Sequence, residues 1–297
     1  MTAIALYDEL LERLGQGDEV GVAETLKTEV VANAELLEQQ LTAEPQGETG
    51  TAEERVQAFL AAHDEANERL LAAAFPATEY GSERLVSAVG RAAAHVVRSS
   101  AQVRNGSALR PGAAILVAGR VLWGIATYAL FCNRTEAVAA LDSITIRPPD
   151  EDREGVPVFG RREFRYPHVL GGNAGNSYEH YRSWLSERAL VAERLPLFAT
   201  DLDDTFAETD LLLALRMISV VQHRTYSGGA EAPAVRRLSD RFHDPRQRPG
   251  LTALFRINDA GLDELVEPCY RQHLEYDRNR FWDGLPTSFL VQEATDN

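Results

Sequence analysis

A chain of 297 residues with 44% hydrophobic and 25% charged residues is long enough to bury a core and too apolar to be wholly disordered. Its 45 acidic and 30 basic residues leave a net charge of −15, which opposes coating by duplex nucleic acid and confines any anion site to a local arginine cluster. The 2 cysteines exclude a disulfide-stapled fold.

The chain opens on Asp8, Glu9 and Glu12 rather than on a basic segment followed by an apolar one, so no secretory leader is read and a cytoplasmic protein is expected. Leu6, Leu10, Leu11 and Leu14 recur at helical spacing over Ile4 to Leu14, and Gly15 to Asp18 end that helix. Val22, Leu26, Val30, Leu37 and Leu41 form the apolar stripe of a second, over Val20 to Leu41. The polar stretch 42–51 is a linker, and Thr51 with Glu54 makes a capping box that starts a helix running to about Ala74. Ser82 to Val103 is the next helix, ended at Asn105-Gly106-Ser107. From Gly112 to Cys132 a single charge, Arg120, interrupts an otherwise apolar run. A charge at mid-bilayer costs about 2.5–3.5 kcal/mol, so this run reads as a buried helix of a soluble protein.

Beyond a helix over Thr135 to Leu141, residues 143–177 lose the helical period and become rich in Pro, Gly and charge. A long central loop is expected there, with short strands at Ile144–Arg147 and Val156–Arg165. Helices resume over Ser177 to Arg194, Glu208 to Gln222, Ala232 to Phe242 and Leu262 to Phe281. The expected fold is mainly α, a multi-helix bundle-like architecture with an N-terminal region 1–106 and a larger helical domain 107–297.

Four constellations bear on chemistry. Asp201-Leu-Asp-Asp-Thr resembles the first motif of the haloacid-dehalogenase phosphatases, in which the first Asp attacks phosphorus and the second acts as acid and base. The resemblance implies a magnesium-dependent phosphohydrolase using Asp201 and Asp203. It sits awkwardly here, because the motif lies two-thirds along the chain, helices follow it, and the only lysine, Lys27, lies far upstream. The competing reading is an acidic inter-helix loop. In the central loop Arg161, Arg162 and Arg165 interleave with Phe159, Phe164 and Tyr166, and Gly171 to Ser177 follow. Arginines beside exposed N–H groups, including Gly172 and Ser177 at a helix start, make an anion- or partner-binding site; the plain alternative is pairing with neighbouring acids. Arg236, Arg237, Arg241, Arg246 and Arg248 form a second basic cluster for which intramolecular pairing is expected. Cys269, His273 and Asp277 share one helix face and are acceptable zinc ligands, but one face rarely completes a tetrahedral site. His63, beside Asp64, Glu65 and Asn67, and His95 read as structural. No cofactor is expected.

The stretch from about Ile115 to Val221, with YALFCNRTEAVAAL, RYPHVL, HYRSWL and DLLLALRMISVV, resembles in texture the helical accessory regions of prokaryotic anti-phage defence proteins with Sir2-like or other effector domains. That resemblance implies a sensing or scaffolding role and carries no site residues. The expectation is therefore a non-enzymatic helical scaffold or sensor subunit binding another protein chain, with self-association open as well. Its contacts are expected at Arg161, Arg162, Arg165 and Tyr166, since arginine and tyrosine are enriched at interface hot spots. The phosphohydrolase and the anion or nucleotide sensor stand as alternatives.

Overall fold

The structure, a computed structural model, describes residues 1–42, 50–101, 109–146, 156–160, 164, 177–221 and 232–263. It is mainly α-helical. The first half is α1 Ala3–Gly15, α2 Glu19–Thr42, α3 Ala52–Ala62, α4 Asp64–Tyr80, α5 Glu83–Ala101, α6 Leu109–Phe131 and α7 Thr135–Asp142. Then come β1 Thr145–Ile146, β2 Val156–Pro157 and a 3-10 turn at Val158–Gly160. The second half is α8 Ser177–Ser186, α9 Ala189–Arg194, α10 Pro196–Val221, α11 Ala232–His243 and α12 Arg248–Phe255.

Local chemistry sets the early boundaries. Thr2 caps α1 by accepting from the Ala5 N–H, and Gly17 takes the left-handed conformation that turns the chain. Asp18 then accepts from the Gly21 N–H at 2.9 Å at the start of α2. The capping box forms as the sequence predicts: Glu54 N–H donates to Thr51 Oγ1 at 3.2 Å, and Thr51 N–H to Glu54 Oε2 at 2.7 Å.

Elsewhere the boundaries move. The helix expected over Thr51 to Ala74 divides at His63, and α4 continues through Pro76 to Tyr80. Pro76 removes one helical donor, yet it sits in an unbroken buried run from Leu70 to Thr78, where packing outweighs the lost bond. The helix expected over Ser177 to Arg194 divides into α8 and α9; the Leu190 N–H at the new start donates to Glu68 Oε1 of α4 at 3.0 Å. α10 begins at Pro196, a residue suited to a helix start, rather than at Glu208. α12 was not expected from the sequence. Its Gly250 lies against α7, where an added Cβ would meet Thr135 Oγ1 at 2.4 Å.

The central segment pairs only briefly. Thr145 faces Pro157 and Ile146 faces Val156 in an antiparallel ladder, and the strand expected to reach Arg165 gives way at Val158 to the 3-10 turn.

α6 is the axis of the fold. It packs against α3, α4, α5, α7, α8 and α10, while α4 also meets α1 and α2, and α10 also meets α8, α9 and α11. One apolar cluster draws on described residues from Leu6 to Leu262, from both sides of the expected boundary between the regions 1–106 and 107–297. The Gly112–Phe131 stretch is apolar and long enough to cross a membrane, but 89% of it is buried inside the protein, as a core helix is.

Candidate functional site

Of the residues singled out in the sequence, Arg161, Arg162, Arg165, Tyr166, Gly172, Cys269, His273 and Asp277 lie outside the described residues, and Ser177 is seen only as the first residue of α8. The aromatics at the edge of the central loop point inward. Phe159 and Phe164 are buried, Phe159 lies edge-on to Trp123, and the Phe164 carbonyl accepts from Tyr181 Oη at 2.9 Å.

Asp201 and Asp203 are in the interior of α10 rather than in a loop. Residues two apart on a helix diverge by about 200°, and the two carboxylates have different partners. Asp201 is gripped by both terminal nitrogens of Arg237 at 2.8 and 2.6 Å and accepts from Thr205 Oγ1 at 2.7 Å, which holds its carboxyl below the usual range. Asp203 turns outward to Arg182 of α8 at 2.7 Å. Farther along, fully buried Glu208 takes Arg241 at 2.6 Å, and Arg241 also reaches Asn133 Oδ1 at 3.0 Å. The acidic motif and part of the second basic cluster are thus two edges of one α10–α11 zipper, while Arg248 binds Asp259 and Asp263. The two aspartates do not converge on one point, as attack and protonation at a single phosphorus require. Among the described residues, no group of three or more His, Cys, Asp or Glu side chains is placed to hold a metal ion.

A polar cluster at the edge of the core surrounds Asp64 at the start of α4. Its Oδ1 accepts from Arg120 Nη1 at 2.6 Å and from Trp184 Nε1 at 2.8 Å, and its Oδ2 faces Arg188 at 3.7 Å. Arg120 also donates to the Leu60 carbonyl and, through Nε, to His180 Nε2 at 3.2 Å. Two guanidinium groups lie over the Trp184 ring, Arg120 at 5.1 Å and Arg188 at 5.0 Å from its centroid. Burial pushes Arg120 down to about 10 against the pull of Asp64, and burial with the Arg120 charge pushes His180 down to about 4. His63 is fully enclosed and also lowered by burial; its Nδ1 lies 2.8 Å from the Phe59 carbonyl. At neutral pH both imidazoles are therefore uncharged, and Arg120 and Arg188 face one carboxylate. This arrangement locks α4, α6 and α8 together.

A second network joins helix ends. Tyr128 Oη donates to Glu79, and Arg134 donates to the Glu79 and Gly81 carbonyls at 2.8 and 3.1 Å, satisfying the end of α4. Burial beside Glu79 pushes the Cys132 thiol up to about 12, so it stays protonated and unreactive at neutral pH.

The open site lies on the outer side of α2 and α5. The two helices lie side by side with their N-termini together, because Glu19 at the start of α2 accepts from Ser82 N–H at 2.8 Å and Ser82 Oγ at 2.6 Å. Between them is a cavity of about 270 Å³ lined by Val20, Ala23, Leu85 and Ala88, with Lys27, Arg84 and Arg91 among the charges at its rim. Val20 is 65% exposed, one of a few large hydrophobic side chains left open, with Leu197 and Tyr80 elsewhere. In the sequence Val20 marks only the start of a helix; the signal for a groove is two i, i+3 apolar pairs, Val20 with Ala23 and Leu85 with Ala88, each beside basic residues.

Comparison with protein families, with curated protein sequences and with solved structures finds no match to this chain.

Proposed function

We propose that this protein is a non-enzymatic helical scaffold or sensor subunit of the cytoplasm that binds another protein chain. The observation that carries this reading is the α2–α5 groove, where an apolar floor and an exposed valine stand together as a concave site between two helices. The polar clusters support it from the other side, because Asp201, Asp203, Glu208 and Asp64 are each occupied by arginines in structural pairings. The resemblance of residues 115–221 to accessory regions of defence proteins makes the partner, in this proposal, the effector subunit of a prokaryotic antiviral complex.

The test is native mass spectrometry of the chain co-expressed with its genomic neighbours. The expected result is the added mass of a second, different chain, lost in Val20→Asp while the helical circular dichroism is unchanged. A bare chain, or one associated only with itself, overturns the proposal.

A further inference from the structure

The charge around the α2–α5 groove is unlike that of the rest of the molecule. The protein as a whole carries −15, yet Lys27, Arg84 and Arg91 all stand at this rim, exposed, and none has an ion pair within 4.0 Å among the described residues. Several arginines elsewhere are paired with carboxylates, Arg69 with Glu29, Arg194 with Asp8, Arg237 with Asp201 and Arg241 with Glu208, while Arg98, Arg236 and Arg246 also have no ion pair within 4.0 Å among the described residues. Two acids share the rim. Glu19 is held by Ser82, whose hydrogen bonds keep its carboxyl below the ordinary range, and Glu24 stands one turn before Lys27. Three cations against these two leave a local positive balance on a negative protein.

The spacing decides what fits. Val20 to Lys27 on α2, and Arg84 to Arg91 on α5, each span two helical turns, or about 10 Å. Arg84 stands at one end of the groove, and Lys27 and Arg91 stand at the other. A single-headed anionic amphiphile satisfies one end only. A helix lying along the groove places apolar side chains at i, i+4 and i+7 on the Val20, Ala23, Leu85 and Ala88 floor and carboxylates on both flanks. We infer, building on the scaffold reading above, that the α2–α5 groove receives an acidic amphipathic helix of the partner chain, with its carboxylates facing Lys27, Arg84 and Arg91.

The test uses the full chain and three fluorescent 14-residue helical probes: one with leucines at i, i+4, i+7 and i+11 flanked by glutamates, its twin with lysines for the glutamates, and a scrambled acidic sequence. Fluorescence anisotropy is read at low and at physiological salt, with laurate as a competitor. Exposed ion pairs are individually weak, so three of them changed from attraction to repulsion give on the order of a tenfold preference for the acidic helix, shrinking as salt rises. The Lys27→Glu/Arg84→Glu/Arg91→Glu chain, checked for unchanged melting, is expected to prefer the lysine probe. Equal binding of the acidic and basic probes to the unaltered chain, no binding of either, or laurate displacing the acidic helix at lower concentration than the unlabelled acidic peptide overturns the inference. The mass measurement is separate: a second chain captured without any acidic-helix preference leaves the scaffold reading standing and removes this assignment of the groove.

Discussion

Asp64 joins side chains from three places in the chain: Arg120 from α6, Trp184 from α8, and Arg188 just beyond it. Arg120 is almost wholly enclosed, so its charge depends on that carboxylate. Asp64→Asn keeps the shape and removes the charge, leaving two guanidiniums over one ring. Breaking a buried pair from one side costs about 3–5 kcal/mol, and urea denaturation is expected to show a loss toward the lower end because Asp64 itself is about one-third exposed. The same cluster sets an acid response. The pKa of His180 in the folded chain, about 4, lies below its ordinary value near 6.5, so the unfolded chain takes the proton first as pH falls. The contribution is complete above about pH 6.5 and is lost between about pH 6.5 and 4, at up to about 1.4 kcal/mol per pH unit. His63 has the same sign. Protonated His180 would meet Arg120, opposed among the described residues by Asp64. Buried Asp142, raised by desolvation against the pull of Arg216, acts in the opposite direction. The check is therefore a difference: urea midpoints measured from pH 7 to 4.5 should fall less steeply in His180→Gln than in the unaltered chain.

At the scale of elements, small residues decide how closely helices approach. α6 meets α8 where Gly119 faces Tyr181, and an added Cβ would stand 2.0 Å from Tyr181 Oη. That hydroxyl also holds the Phe164 carbonyl, so the contact ties the edge of the central segment to the core. Gly119→Ala must push the tyrosine aside. Overpacking of this kind costs about 1–3 kcal/mol, and thermal melting is expected to show it despite the gain in helix propensity from alanine. Gly119→Ala/Tyr181→Phe should recover little of the loss, since the ring carbons Cζ and Cε1, at 2.3 and 2.8 Å from the added Cβ, clash as well as the hydroxyl oxygen. α10 and α11 are joined differently, by arginines one turn apart on one helix and acids on the other. There a motif that suggests phosphoryl chemistry in the sequence serves as an interhelical zipper.

Over the whole molecule, one apolar core runs through both halves of the chain, and α6 packs against helices of both. A helix apolar on every side needs protein around its whole circumference, and that requirement accounts for the layering of α3, α4 and α5 on some sides and α7, α8 and α10 on others. The acidic excess is carried at the surface, while the buried charges are closely matched: Arg120 with Asp64, Arg216 with Asp142 and Arg241 with Glu208. Against this background the α2–α5 groove combines an apolar floor with three exposed cations that make no ion pair within 4.0 Å among the described residues, Arg84 lying near enough to Glu19 to lower its pKa.

The sequence by itself determined the fold class and most helix starts, because those depend on neighbours three and four residues away. The leucine period of α1, the stripe of α2 and the Thr51–Glu54 capping box are all local, and each appears as read. It also marked Arg120 as the single charge in the apolar run from Gly112 to Cys132. It could not say which carboxylate answered, since Asp64, His180 and Trp184 reach Arg120 only after α4, α6 and α8 have packed. The break at His63, the continuation through Pro76 and the early start of α10 at Pro196 likewise depend on burial, which overrides local propensity. The two aspartates of the phosphatase-like motif were visible as residues, and their divergence was not, because it follows from the helix that contains them. The groove lay furthest from view: its two walls come from helices more than fifty residues apart, and only tertiary packing brings Val20 beside Leu85 and gathers three cations around them.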